Sequence, residues 1–149
     1  MKSTYLDIVQ RMDKAYTDFG VLLSRETRIL DEFNLTAQQE SILSYINTHH
    51  HTTANEIAAD FNITKSAVSQ TLSKLEKKNM IKKTKNPANK REYYLELGPE
   101  GNKYINYLDE LIQQMTDKYY SKIPVEELDE MVTTMEKINS IIREEKAKS

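Results

Sequence analysis

Apolar residues recur at helical spacing along most of the chain and alternate with polar residues only near its middle. Three long stretches carry apolar stripes at intervals of three, four or seven positions: residues 5–33, 104–120 and 125–142. The last of these is predicted to open at Pro124, and its charged tail after Arg143 is predicted to fray. The pattern therefore predicts a mainly α-helical protein.

Three shorter helices are predicted between the first two stripes, and each begins at an N-capping threonine: Thr36, Thr53 and Thr64. Gln39 and Glu56 stand three residues after the first two threonines, which is the spacing of a capping box. Asn62 is expected to turn the chain between the second and third helices. The small Ala58 and the inward Val68 let two helices cross steeply, which is typical of a helix-turn-helix.

A β-hairpin is predicted directly after these helices. Residues 81–85 form its first strand. In residues 92–97, Tyr93, Leu95 and Leu97 alternate with polar or exposed neighbours, as in a half-buried strand. Residues 86–91 have turn chemistry and a basic end. The fold prediction is therefore mainly α with a small β-hairpin wing, a winged helix-turn-helix with N- and C-terminal dimerisation helices.

Composition excludes several classes of function. The chain has no Cys, so disulfides, thiolate catalysis and zinc–cysteine sites are excluded. No Gly-rich phosphate loop or catalytic constellation is evident, and no enzyme activity or cofactor is expected. Asp7 and Asp13 interrupt an N-terminus without an apolar run, so neither a signal peptide nor a membrane partner is expected, and the cytoplasm is the default location.

The net charge of −2 conceals two opposing regions. Residues 65–91 carry nine basic groups and one acid, Glu76, for a net +8, whereas the other 122 residues carry twelve basic and 22 acidic groups, for −10. A basic surface on an acidic body predicts a nucleic-acid partner. Its position coincides with the third short helix and the hairpin.

The outward face of that third helix carries Ser, Gln and Lys, which hydrogen-bond to base edges or phosphates. We expect the recognition helix to contact the DNA major groove through Lys65, Ser66, Ser69, Gln70, Ser73 and Lys74. We expect the wing to contact the minor groove through Lys85, Asn89, Lys90 and Arg91. The backbone N–H groups of Thr53 and Ala54 are expected to lie near a phosphate.

Four short motifs follow one another from the recognition helix to the start of the next helix: Leu75-Glu76-Lys77-Lys78-Asn79, Lys82-Lys83, Asn89-Lys90-Arg91 and Leu97-Gly98-Pro99-Glu100-Gly101. They resemble the motifs of the MarR family of bacterial regulators (multiple antibiotic resistance regulators). Asn79 replaces the family's Gly, Asn89 its wing Asp, and Gly98 its capping Thr. Loss of the Asp removes a salt bridge that would orient Arg91.

The resemblance implies a transcriptional repressor that binds duplex DNA at a near-palindromic operator as a homodimer. It also implies a response to a small anionic or phenolic effector. The residues independently favour a dimer, because the apolar stripes exceed what one winged helix can cover; an intramolecular three-helix cap is the alternative. The expected dimerisation residues are Ile8, Met12, Leu108, Leu111, Met115, Leu128, Met135, Ile138 and Ile142. Residues 1–35 and 99–149 would form the dimerisation region, and residues 36–98 the DNA-binding lobe.

Two other functions remain open at this point. His49, His50 and His51 are the only histidines, and His49 and His51 are candidate zinc ligands with Glu56 or Asp60, although an exposed polar loop is the plainer interpretation. The first alternative is therefore a metal-responsive regulator. The second is an architectural or protein-interaction winged helix without operator specificity.

Overall fold

Helices account for most of the computed structural model, which describes residues 2–149, with side chains from residue 4 onward. The α-helices are α1 (Lys2–Leu22), α2 (Ala37–Thr48), α3 (Ala54–Phe61), α4 (Lys65–Lys77), α5 (Pro99–Lys118) and α6 (Val125–Ala147). Strands β1 (Ile81–Lys85) and β2 (Tyr93–Leu97) form an antiparallel hairpin, and 3₁₀ helices span Glu26–Phe33 and Tyr120–Lys122. The chain divides into two compact units, Met1–Asp109 and Glu110–Ser149. Within residues 2–149, every helix is too short or too polar to cross a membrane.

The first apolar stretch, residues 5–33, is largely helical as its spacing predicts, but it does not form one continuous α-helix. Helix α1 ends at Leu22, and a 3₁₀ helix follows. The Ser24 hydroxyl donates to the Val21 carbonyl at 2.8 Å, and the Thr27 hydroxyl donates to the Leu23 carbonyl at 3.1 Å. Hydroxyl-to-carbonyl bonds of this kind also occur within the unbroken α5, from Thr116 to Ile112 at 2.8 Å. The two hydroxyls therefore accompany the break without accounting for it.

The predicted N-caps are present at α2, α3 and α4, but only one of the two bonds of the capping box forms at α3. At α2 both bonds are made, since Gln39 donates its backbone N–H to Thr36 Oγ1 (3.2 Å) and its Oε1 accepts from Thr36 N–H (2.9 Å). At α3, the Glu56 N–H donates to Thr53 Oγ1 at 3.3 Å. The Glu56 carboxylate instead accepts from the Thr52 hydroxyl, at 2.9 Å. Thr52 is fully buried, so its hydroxyl requires a partner.

The core of the first unit lies where α2, α3, α4, the hairpin and the start of α5 meet. The helix-turn-helix has the predicted geometry, because Asn62 adopts the left-handed conformation (φ 51°) and Ala58 packs against the core. Thr71 is half-buried. The buried apolar side chains of this cluster are Ile42, Leu43, Ile46, Ile57, Val68, Leu72, Leu75, Met80, Ile81, Leu95, Tyr104 and Ile105. Burial raises the pKa of Tyr104 to about 12, with a smaller contribution from the charge of Glu40.

The hairpin pairs Ile81 with Leu97 at its base and Lys85 with Tyr93 at its outer end. Leu95 is buried, as the alternation predicts, but Tyr93 is 49% exposed. Tyr93 is therefore not buried, although regular alternation places it on the same face of β2 as Leu95. Tyr93 lies at the end of the pairing nearest the tip, away from the core residues that cover Leu95.

Helix α5 begins against the turn that follows α4. Asn79 adopts the left-handed conformation there (φ 58°), as predicted for the position where the family has Gly. Its carbonyl accepts from the Glu100 N–H at 3.1 Å, and the Met80 carbonyl accepts from the Gly98 N–H at 2.8 Å. A Cβ on Gly98 would overlap the Asn79 carbonyl, and one on Gly101 would overlap that of Met80. Backbone carbonyls therefore cap α5, and glycine admits their close approach.

Replacing Gly101 with Ala is expected to lower the free energy of unfolding by about 1–3 kcal/mol, because the added methyl group meets backbone that has no alternative rotamer. Urea titrations at one fixed protein concentration measure the change. Gly20→Ala is the matched control. Gly20 lies in α1, where an added Cβ would have nothing within 4 Å, so this variant is expected to gain up to about 1 kcal/mol from helix propensity. Equal effects at the two sites would contradict the packing argument.

Helix α6 starts after Pro124 and continues to Ala147. The prediction that the tail frays after Arg143 was therefore wrong within the described residues. The Glu- and Lys-rich sequence explains the extension, because both residues are strong helix formers. Lys148 also pairs with Glu145 at 3.0 Å.

Candidate nucleic-acid interface

One groove of about 430 Å³ brings together residues that are far apart in the sequence. Its walls come from the N-terminal end of α3, the outer face of α4, and the hairpin. Six of the predicted contact residues line it: Thr53, Ala54, Lys65, Ser69, Asn89 and Arg91. The three contact segments predicted separately from the sequence thus form a single concave surface.

Helix α4 presents a polar face beside this groove. Val68, Leu72 and Leu75 are buried, so the positions between them point outward. The predicted residues Ser66, Gln70, Ser73 and Lys74 are exposed but do not line the groove. Among the described residues, the side chains of Ser66, Ser69, Gln70 and Ser73 make no hydrogen bond, so their donors and acceptors are available to a ligand.

The wing tip is held by two asparagine side chains. Asn86 Oδ1 accepts from the Ala88 N–H at 2.9 Å, and Asn89 Oδ1 accepts from the Arg91 N–H at 3.0 Å. Both are Asx turns, in which a side-chain oxygen substitutes for a backbone acceptor. Asn89 thus orients the backbone of Arg91, although it cannot form the salt bridge expected of the family's Asp.

The other two predicted wing residues lie on a neighbouring surface. Lys85 and Lys90 line a second groove of about 390 Å³ together with Asn86 and Pro87. They are exposed and flank the tip. The wing cations therefore divide between two sides of the hairpin, with Arg91 on the side of α4.

The nine cations of residues 65–91, here called the basic region, are largely free of acidic partners. All nine side chains from Lys65 to Arg91 are exposed. Within the part of the chain that the structure describes, the only ion pair among them joins Lys82 to Glu96, at 3.4 Å. Lys78 donates to the Asn34 carbonyl at 2.9 Å. The remaining positive charge is available to attract phosphates.

Two contacts connect the wing to the helix-turn-helix. In the middle of β2, the Leu95 N–H donates to the Thr52 carbonyl at 2.9 Å. Nearer the tip, Asn55 Nδ2 donates to Glu92 Oε1. The groove of about 430 Å³, here called the main groove, is also lined by four residues that were not among the predicted contact residues: Asn55, Lys83, Glu92 and Tyr93. Periodicity carries no signal for a bond between residues 37 positions apart, so only the folded chain reveals the Asn55–Glu92 pair.

The histidines have separate surroundings. His49 stacks on Tyr45 at 3.8 Å between ring centroids, and His51 stacks on Tyr94 at 4.8 Å. The Tyr45 hydroxyl donates to Asp60, which raises the pKa of Tyr45. Across the described residues, no group of three or more His, Asp or Glu is placed to hold a metal ion. The metal-responsive alternative is therefore not favoured.

Apolar side chains remain exposed on α1 and α6. On α1 the exposed fractions are 54% for Ile8 and 49% for Met12, and on α6 they are 47% for Met135 and 46% for Ile142. Of the other expected dimerisation residues, Leu108, Leu128 and Ile138 are half-buried, and Leu111 and Met115 are buried. Large uncovered apolar faces of this kind mark interaction surfaces.

Comparison with known proteins identifies a similar family model and a similar regulator. Residues 35–93 match the family model described as MarR family. The chain is 23% identical over 121 residues to the HTH-type transcriptional regulator BilQ of Clostridioides difficile, covering 79% of this chain and 82% of that protein.

Two solved structures share the architecture. FabT of Streptococcus pneumoniae in complex with DNA matches with a TM-score of 0.71 and 18% identity, covering 91% of this chain and 98% of that one. MarR of Staphylococcus aureus in complex with salicylate and kanamycin matches with a TM-score of 0.68 and 24% identity, covering 95% and 96%. At these identities the likeness supports the winged-helix fold.

Proposed function

We propose that the chain is a MarR-family transcriptional regulator, a ligand-responsive repressor that binds a near-palindromic operator as a homodimer. One observation carries the proposal: the groove in which the outer face of α4, the N-terminal end of α3 and the tip of the wing converge, with its cations unpaired. Double-stranded DNA is the polyanion whose shape suits a helix flanked by a wing.

In this proposal each part of the groove contacts a different part of the duplex. Helix α4 enters the major groove, where Ser69 and Gln70 reach base edges and Lys65 and Lys74 reach phosphates. Arg91 enters the adjacent minor groove, whose negative potential attracts a planar cation. The first N–H groups of α3, at Thr53 and Ala54, face a phosphate.

Dimerisation follows from the apolar faces of α1 and α6. We propose that residues 1–35 and 99–149 form the dimerisation region and residues 36–98 the DNA-binding lobe. The exposure of Ile8, Met12, Met135 and Ile142 supports this, since a second copy that covers them removes their apolar area from water. Two lobes related by a two-fold axis then read the two halves of a near-palindrome.

We further propose that the effector is a small anionic or phenolic molecule and that the protein acts in the cytoplasm. The S. aureus MarR structure contains salicylate, which belongs to this chemical class. We propose no catalytic role, because the described residues present a binding surface and the family consists of regulators.

The decisive experiment measures binding to the DNA upstream of the protein's own coding sequence, beside a scrambled duplex of equal length and composition. Specific binders exceed non-specific binding by about 10³-fold or more. We expect such a ratio for the upstream DNA. A ratio near one would contradict the repressor assignment and leave an architectural winged helix. Adding zinc or a chelator should leave the affinity unchanged.

Replacing Arg91 with Ala is expected to weaken operator binding by about tenfold or more, equivalent to about 1.4 kcal/mol, because the wing loses its minor-groove cation. Fluorescence anisotropy gives the affinity, and light scattering gives the oligomeric state. Arg143→Ala is the matched control, because it removes an equal charge from α6, far from Arg91 in the sequence. This variant is expected to bind the operator as tightly as the unmodified protein. If Arg91→Ala dissociates the dimer instead, the wing has been placed on the wrong surface.

A further inference from the structure

The tip of the wing is tied to the helix-turn-helix by one side-chain hydrogen bond, from Asn55 Nδ2 to Glu92 Oε1. Asn55 lies in the first turn of α3, directly after Ala54, and Glu92 lies between Arg91 and the start of β2. Both side chains are half-buried. The bond therefore connects the segment proposed to face a phosphate with the segment that carries the minor-groove arginine.

Glu92 is an unusual residue for this surface. It is the only acid among the described residues that line the main groove, which also contains Lys65, Lys83 and Arg91. A free carboxylate there would pair with one of those cations and remove it from the phosphates. No ion pair to Glu92 forms within the described chain, and its carboxylate is engaged by a neutral amide.

The position of this bond on the hairpin also allows it to restrain the tip of the wing. The backbone bond from Leu95 to Thr52 holds the middle of β2, and Glu92 is three residues nearer the tip, about 10 Å along an extended strand. The Glu92 N–H donates to the Asn89 carbonyl at 3.2 Å, and Asn89 Oδ1 accepts from the Arg91 N–H. Holding Glu92 therefore also holds the turn that orients Arg91.

We propose that Asn55 and Glu92 form a wing latch, in which both are positioning residues that set the wing against α3 so that Arg91 and the α3 N-terminus engage one duplex together. The inference rests on the proposed function, since positioning matters only when DNA is bound. The latch itself is a property of the free protein.

The first arm of the test needs no DNA. Hydrogen exchange of the wing amides, residues 88–92, is measured in the full-length protein and in Asn55→Ala. We expect exchange at Arg91 and Glu92 to accelerate about tenfold, because local opening becomes easier once the tie is lost. Asn47→Ala is the matched control. Asn47 is exposed on α2 and makes no side-chain hydrogen bond among the described residues, so its exchange pattern should match the unmodified protein.

The second arm measures operator binding in a double-mutant cycle of Asn55→Ala and Arg91→Ala. These residues make no hydrogen bond or ion pair with each other within the described chain, so we attribute coupling between them to the wing. We expect Asn55→Ala to weaken binding about tenfold. Arg91→Ala should then cost at least threefold less in the Asn55→Ala background. Glu92→Gln keeps an acceptor for Asn55 and removes the acid from the groove, so it should bind the operator more tightly than the unmodified protein, whereas weaker binding would count against the latch.

The outcomes separate the latch from the function. Unchanged exchange at Arg91 and Glu92 in Asn55→Ala would overturn the latch, whatever the DNA results. Accelerated exchange with additive effects in the cycle would overturn its positioning role. If the unmodified protein binds operator and scrambled DNA equally, the proposed function fails, and the exchange measurement still decides whether the latch exists.

Discussion

Operator affinity is expected to fall by about 10³–10⁵ between 50 and 200 mM salt, on the estimate that the dimer contacts six to ten phosphates. The basis is the unpaired positive charge between Lys65 and Arg91, of which only Lys82 forms an ion pair in the described chain. Each cation bound to a phosphate releases a condensed counterion, so affinity depends steeply on salt. Anisotropy titrations across the salt series give the slope directly.

Single lysine variants refine this measurement. Lys65→Ala, at the groove, is expected to reduce the magnitude of the slope by about 1 for each phosphate that the dimer no longer neutralises. Lys146→Ala, in the last turn of α6, removes the same charge outside the basic region and should leave the slope unchanged. A flat salt response in the unmodified protein would show that the basic region does not bind DNA.

Placing charges on the apolar faces of α1 and α6 is expected to separate the dimer. In the double variant Met12→Glu with Met135→Glu, burying either carboxylate in an apolar interface carries a large desolvation penalty. Each lobe would then bind its half-site alone, and operator affinity should fall by about 10²–10⁴ with the loss of bivalency. Sedimentation equilibrium reports the oligomeric state of the same samples used for binding.

The matched control adds equal charge to the opposite faces. Gln10→Glu with Ser140→Glu changes two exposed polar positions on the same two helices, about half a helical turn away from the apolar faces. This variant should remain dimeric and bind operator normally. If both double variants dissociate equally, net charge rather than the apolar faces controls assembly. If neither dissociates, the dimerisation surface lies elsewhere.

Local signals in the sequence predicted the elements that carry the function. The sequence predicted three features: the Thr caps of α2, α3 and α4, the left-handed conformations of Asn62 and Asn79, and the buried positions of α4. Each depends on interactions within about four residues, or on a periodicity that one amphipathic face imposes. The +8 region likewise predicted the exposed basic surface that includes residues of the groove.

Local patterns missed two details. Helix α1 ends at Leu22 within an otherwise helical stripe. Glu56 bonds to the buried hydroxyl of Thr52 rather than completing the capping box. Gly98 replaces the family's capping Thr, and the sequence indicated that this replacement is tolerable. In the folded chain the Asn79 carbonyl supplies the cap, and glycine allows it to approach.

The sequence by itself determined which segments are helices, which form the hairpin, and which face of α4 is polar, because propensity, capping and amphipathic period act over short distances. Only the tertiary structure decided that α3, α4 and the wing converge on one groove, and that Asn55 and Glu92 hold them together. Those contacts join residues up to 37 positions apart. Packing around a shared core brings such residues together, and no local pattern records the result.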